Sequence, residues 1–208
     1  MYRLLAFVPC LLLLLGASFI TEPSEISTPS LIKDLQKGGY ILYIRHGDAT
    51  SGEDQPGFSL TDCSTQRNLS VTGKEQAQKY GDAIRKLNIP IIFPVEASPL
   101  CRTYQTAQIA FGAQNVTVNE FWLNIYELSK NTSTENVNKT LQAFTNEVER
   151  IPSGNSNRAI VAHSFPQGVG LGEISSMETV VLKPLGEHRG YEVIGKLTLE
   201  DVLRLAEM

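Results

Sequence analysis

Short apolar runs rich in β-formers alternate with amphipathic helical stretches along most of this chain. That alternation limits the fold more than any other feature. Residues 40–44, 91–97, 116–118 and 159–162 have the length and side chains of buried strands. Between them lie segments with apolar residues at helical spacing. A short helix over residues 31–37 is stopped by Gly38 and Gly39. Thr72 and Glu75 form a capping-box pattern ahead of Ala77, Tyr80, Ile84 and Leu87, which share one helix face. Ser98 reads as an N-cap with Pro99 at the first helical position, before Leu100, Tyr104, Ala107 and Phe111. Val137, Leu141, Phe144, Val148 and Ile151 mark a helix over residues 134–150. Strands separated by helices imply a largely parallel sheet covered on both faces, a three-layer α/β/α fold. Residues 179–182 and 191–197 read as two further strands joined by a turn over 184–190. They close the sheet as a hairpin and make it mixed. A short helix over residues 200–206 ends the chain.

The N-terminus belongs to a different regime. Arg3 precedes an apolar run over residues 4–20, with Gly16, Ala17 and Ser18 near its end. This is the pattern of a secretory signal peptide. The other reading of residues 1–20 is an uncleaved membrane anchor, although the run is short for a bilayer span and Pro9 interrupts it. The chain is therefore expected to be exported, with membrane association only if the segment stays attached. Residues 21–30, rich in Thr, Ser, Glu and Pro, read as a linker, which leaves residues 31–208 as one domain. The formal net charge of −4 carries no basic footprint of a nucleic-acid binder. Beyond the signal, Cys63 and Cys101 are either one bridge or two free thiols. Asn68, Asn115, Asn131 and Asn138 stand in Asn-X-Ser/Thr acceptor patterns.

Ligands of such sheets collect at the carboxyl ends of the strands. The run over 40–44 leads into Arg45-His46-Gly47, the run over 91–97 into Ser98-Pro99-Leu100-Cys101-Arg102, and the run over 159–162 into His163-Ser164. Two arginines and two histidines thus converge on one rim. Forked guanidinium donors fit phosphate oxygens. A helix starting at Pro99 adds free backbone N–H groups. A neutral imidazole attacks phosphorus without prior deprotonation, and a second one hydrogen-bonds the transferred group.

These motifs carry a family resemblance. Arg45-His46-Gly47 after a first strand resembles the signature of the histidine phosphatase superfamily, with its phosphoglycerate mutase-like fold. Asn68-Leu69-Ser70-Val71-Thr72-Gly73 with Gln76-Ala77, Ser98-Pro99-Leu100-Cys101-Arg102-Thr103 with Thr106-Ala107, and Val161-Ala162-His163-Ser164 are similar to that family's later motifs, in its order. The resemblance implies a metal- and cofactor-independent phosphatase acting on a phosphorylated substrate. His46 would accept the phosphoryl group, and Arg45, Arg102 and His163 would hold its oxygens. It leaves two other functions as alternatives: a non-catalytic binder of phosphorylated ligands, and a mutase-type phosphotransferase.

The chain departs from the family pattern in two places. Where many members carry a proton-donating glutamate, the alignment places Asn124, and Glu120, Glu127 and Asp48 are the nearby carboxylates. A phosphoramidate or another good leaving group asks less of such an acid. After His163, the short Gly-rich stretch 165–172 replaces a long apolar helix, which is expected to leave the pocket open on that side. Arg67 and His188 read as surface charge and an exposed turn residue. Trp122 reads as core.

Overall fold

The computed structural model describes residues 28–130 and 132–208. The expected signal or anchor and most of the expected linker lie outside the described residues. Helix α1, Thr28–Leu35, begins three residues before the domain start read from the sequence.

Six strands form one sheet in the order β3-β2-β4-β1-β5-β6. They are β1 (Ile41–Arg45), β2 (Ile91–Ala97), β3 (Val116–Val118), β4 (Asn157–Ala162), β5 (Thr179–Pro184) and β6 (Tyr191–Leu197). The pairs β1–β4, β2–β4 and β2–β3 are parallel. Strand β5 runs antiparallel to β1 and is joined to β6 as an antiparallel hairpin. The sheet is therefore mixed and mostly parallel, as its strand pattern predicts. The helices after α1 are α2 (Val71–Lys86), α3 (Cys101–Phe111), α4 (Leu123–Glu127), α5 (Thr134–Val148) and α6 (Leu199–Glu207).

Strand β1 shows why both faces are covered. Alternate residues of a strand point to opposite faces. Leu42 and Ile44 join a core made with α1, α2, α3 and α6, which includes Leu35, Tyr80, Ile84, Phe111 and Val202. Ile41 and Tyr43 join the opposite core with Trp122, Ile125, Phe144 and Val148 from the α4–α5 side. The ring of Tyr43 meets Trp122, Phe144 and Phe165 edge-on or tilted at 5.7–6.0 Å between centroids. Such offset arrangements favour aromatic quadrupoles, adding to the area buried.

The parallel strands end together. Arg45 is in register with Ala162, and Ala97 with Val161. The ladder continues one step past the strands: the amide of His46 donates to the carbonyl of Ala162, and that of Ser98 to Val161. His46, Ser98 and His163 therefore leave the sheet side by side. The chain between β1 and α2 is a polar excursion. It is pinched where Ala49 bridges Leu69 and pinned at its far end by a disulfide between Cys63 and Cys101.

Local signals in two places lose to tertiary partners. Helix α2 is capped by Ser70, whose Oγ accepts from the amide of Gly73, rather than by Thr72. Ser70 is held there by Asp48, which accepts from both its amide and its hydroxyl. Ser98 does not cap α3. That helix begins at Cys101 without a side-chain cap, and the amide of Cys101 donates to Gln66 Oε1 at 2.8 Å. Ser98 turns its hydroxyl to His163 instead.

Candidate active site

The structure brings Arg45, His46, Arg102 and His163 to one rim. The rings of His46 and His163 lie 5.6 Å apart between centroids, nearly edge-to-face, and each residue is only 3% exposed. His163 Nε2 shares a 2.8 Å hydrogen bond with Ser98 Oγ. The carbonyl of His163 accepts from the hydroxyl of Tyr43, anchoring the end of β4 to the aromatic core.

His46 is held by its own neighbour. Its Nδ1 is 2.7 Å from the carbonyl oxygen of Gly47. A carbonyl only accepts, so Nδ1 carries the ring proton and Nε2 the lone pair. Burial, followed by the charge of Arg102, pushes the imidazole down to about 3. The Gly47 carbonyl opposes this, and Arg45 and Arg67 add to it. His163 is also lowered, by burial first and then by His46 and the same arginines. Both rings are neutral at pH 7.

Gly47 owes its identity to crowding. A Cβ there would sit 2.6 Å from the carbonyl oxygen of Gly73, and a Cβ on Gly73 would run into the carbonyl of Asp48. Two glycines thus let the start of α2 lie against the turn that follows β1. The amide of Gly47 donates to Thr106 Oγ1, which ties the turn to α3 as well.

Both arginines are pinned by protein acceptors. Arg45 Nη1 donates to the carbonyl of Ile174 at 2.6 Å. Arg102 Nη1 and Nη2 donate to Asp54 Oδ1 and Oδ2 at 2.9 and 3.2 Å, and Nη1 also donates to the carbonyl of Arg67. The Nε of Arg45 and the Nε of Arg102 are buried and have no partner among the described residues. A buried donor left unpaired is costly, so two of them on adjacent guanidiniums mark a place that suits an acceptor-rich anion. The electrostatics agree: burial, then the neighbouring Arg67 and Arg102, depress Arg45.

Arg67 is therefore no remote surface charge. Its backbone holds both Asp54 and Arg102, and its cation acts on Arg45, His46 and His163. Asp54 was hidden in the long polar loop. Tyr126 donates to its Oδ2 at 2.7 Å, and the amide of Arg67 to its Oδ1 at 2.8 Å. Burial pushes the Asp54 carboxyl up, but bonds from Tyr126, Arg102 and Arg67 outweigh this and leave it below the usual carboxylate range. Burial and the Asp54 carboxylate push the Tyr126 phenol up to about 12, so it remains a donor.

Two of the carboxylates expected near a leaving group, Glu120 and Glu127, are elsewhere, whereas Asp48 lies close enough to act on Arg45. Glu120 lines a separate cavity with Glu96, Thr117 and Arg158. Glu127 pairs with Lys130, and with Asn124 it lines another cavity beside Lys139. Asp48 Oδ2 is taken by Ser70. The cavity that reaches Arg102, about 610 Å³, is lined instead by residues 52–58, Arg67, Tyr126, Ser129 and Lys130. The opening thus lies beside the β1–α2 loop. Stretch 165–172 does not line it, and Phe165 and Leu171 are buried in the core. Trp122 is buried and His188 exposed, as the sequence implies. Of the acceptor asparagines, Asn131 lies outside the described residues, and the Asn68 side-chain amide donates to the carbonyls of Cys63 and Gln66.

Comparison with known proteins bears on the fold and on the segment that carries part of the site. The family model for the histidine phosphatase superfamily (branch 1) matches residues 41–127, which include Arg45, His46 and Arg102. His163 lies beyond that match, and its place in the site rests on the structure. Among solved structures, the protein histidine phosphatase SixA in complex with tungstate is similar, with TM-score 0.50 and 18% identity over 78% of this chain and 99% of that one. So is the phosphoserine phosphatase of Entamoeba histolytica in complex with 3-phosphoglyceric acid, with TM-score 0.53 and 16% identity over 79% and 99%. At these identities the likeness is one of fold. No curated protein matches the chain in sequence. The matched segment, the sheet topology and the motifs at its strand ends together make the chain similar to branch 1 of the histidine phosphatase superfamily.

Proposed function

We propose that the protein hydrolyses a phosphomonoester or phosphoramidate through a phosphohistidine on His46. The observation that carries this reading is the Nδ1 bond of His46 to Gly47, which leaves Nε2 with its lone pair beside Arg45 and Arg102. In the first step Nε2 attacks phosphorus, an N–P bond forms and the bond to the leaving group breaks. Arg45, Arg102 and His163 hold the non-bridging oxygens and offset the charge that develops on them. In the second step water attacks phosphorus, the N–P bond breaks, and inorganic phosphate leaves with the imidazole restored. The carboxylate nearest Arg102 is the ionised Asp54, so leaving groups that depart as stable anions, or arrive already protonated, suit the site best. Phosphoramidates and aryl or acyl phosphates have that chemistry.

A non-catalytic binder of phosphorylated ligands would share the arginines. It is the second reading because both histidines are buried deeply. Release of inorganic phosphate from an aryl phosphate separates the two. The proposal predicts turnover by the wild type and none by His46→Ala. An inert wild type that still binds phosphate favours the binder. Transfer of phosphate to an added acceptor, in place of release, favours a mutase-type phosphotransferase.

Export is part of the same proposal. It rests on the apolar run over residues 4–20 and on the Cys63–Cys101 disulfide, a bond that persists in oxidising compartments. Protein recovered from the reducing cytosol with residues 1–20 attached would contradict it.

A further inference from the structure

We propose that Asp54 is a positioning residue for Arg102, fixing one edge of its guanidinium so that the other edge serves the phosphoryl group. This rests on reading the pocket as a phosphoryl-transfer site.

A guanidinium has five N–H donors in a rigid plane. In Arg102 three are used: Nη1 donates to Asp54 Oδ1 and to the carbonyl of Arg67, and Nη2 donates once to Asp54 Oδ2. The carboxylate thus takes the terminal edge in a bidentate pair. The lateral edge, Nε with the second Nη2 hydrogen, is left, and Nε is the buried donor without a partner among the described residues. Asp54 and a phosphate therefore bind different edges of the same group. Neither has to displace the other.

Asp54 is itself overdetermined. It accepts from Arg102 twice, from Tyr126 Oη and from the amide of Arg67. Tyr126 packs its ring 5.2 Å from Arg102 Cζ and 5.4 Å from the ring of His163. The Asp54–Arg102–Tyr126 group thus connects the wall of the open cavity with the histidine pair. The Asp54 and Arg102 side chains are 5% and 1% exposed. A buried ion pair of this kind roughly breaks even as a source of stability, because desolvation offsets attraction. Orientation is the gain that does not cancel, since an arginine serves planar recognition only when its fork is held. The other end of the loop supports the same group: Cys63 is joined to Cys101, next to Arg102 in the chain.

The test compares kcat/KM for an aryl phosphate and Kd for inorganic phosphate across wild type, Asp54→Asn, Tyr126→Phe, Arg102→Lys and Asp54→Asn/Arg102→Lys. Asp54→Asn puts an NH2 group against Arg102 and should lower kcat/KM about 10- to 100-fold and weaken phosphate binding, as loss of an orienting partner does. Tyr126→Phe removes one hydroxyl from Asp54 and should cost about three- to tenfold in the same direction. With Arg102→Lys there is no fork to orient, so adding Asp54→Asn should cause no further loss. Losses that multiply, or an Asp54→Asn enzyme matching wild type in both quantities, would overturn the proposal. If wild type is inert like His46→Ala, the phosphatase reading has failed. Phosphate affinity then decides on Asp54 by the same comparison.

Discussion

The Nδ1 of His46 lies 2.7 Å from the carbonyl oxygen of Gly47, the next residue in the chain. That bond chooses the tautomer, and burial among cations keeps the ring neutral, with a pKa near 3. Ring ¹⁵N shifts of the free protein should show a neutral, Nδ1-protonated His46 that does not titrate between pH 5 and pH 8. An imidazole titrating near 6.5 at this position would refute the assignment.

Neutral burial also ties stability to pH. In the unfolded chain His46 binds a proton near its ordinary value of about 6.5, whereas in the fold it binds one only near 3. Between those values the unfolded state holds more protons, so stability rises with pH across that window and is lost as pH falls toward 3. The contribution is roughly 1.4 kcal/mol per pH unit for one histidine. Denaturant unfolding at pH 7 and pH 5 should show a smaller pH-dependent loss in His46→Gln than in wild type. An equal loss in both would count against a buried, neutral ring.

Gly47→Ala should damage the site from beside it. Its Cβ would meet the Gly73 carbonyl at 2.6 Å, a backbone atom that cannot swing away. Overpacking of this kind costs about 1–3 kcal/mol. Displacing the carbonyl that holds His46 should also lower turnover on the order of 10²-fold. Thermal unfolding and steady-state kinetics measure both, and an unchanged melting temperature with unchanged turnover would show that the turn accommodates a side chain.

The disulfide closes a loop of 38 residues. On the chain-entropy account, replacing both cysteines with serine should cost about 4 kcal/mol of stability. Because the bond joins the Asp54 loop to the start of α3, KM for an aryl phosphate should rise as well. Denaturant midpoints that coincide for the two proteins would reject the stabilising role.

The sheet and the rim were legible because the strands are short apolar runs, and β1, β2 and β4 end abruptly in Arg45-His46, Ser98 and His163. Hydrophobic runs report burial directly, and strand ends in such a fold report the site. What escaped depends on partners far apart in the chain. Ser98-Pro99 has the look of a helix start, but His163, 65 residues on, claims the hydroxyl. Asp54 sits in a polar loop with no periodicity, 48 residues from the arginine it pairs with. Glu120 and Glu127 looked close to the site because of their position after β3. A 3₁₀ turn, capped by Asn119, buries Trp122 and carries both carboxylates to other faces. Arg67 read as solvent charge because nothing local showed that its backbone holds both members of the Asp54–Arg102 pair.

The central claim is that phosphate passes through His46, and rapid-quench mixing with a ³²P-labelled phosphoryl donor tests it most directly. The predicted result is a transient, acid-labile and base-stable adduct that maps to His46 and forms and decays at rates that account for turnover. His46→Ala should form no adduct and release no phosphate. Label on another residue, or full turnover by His46→Ala, would contradict the claim.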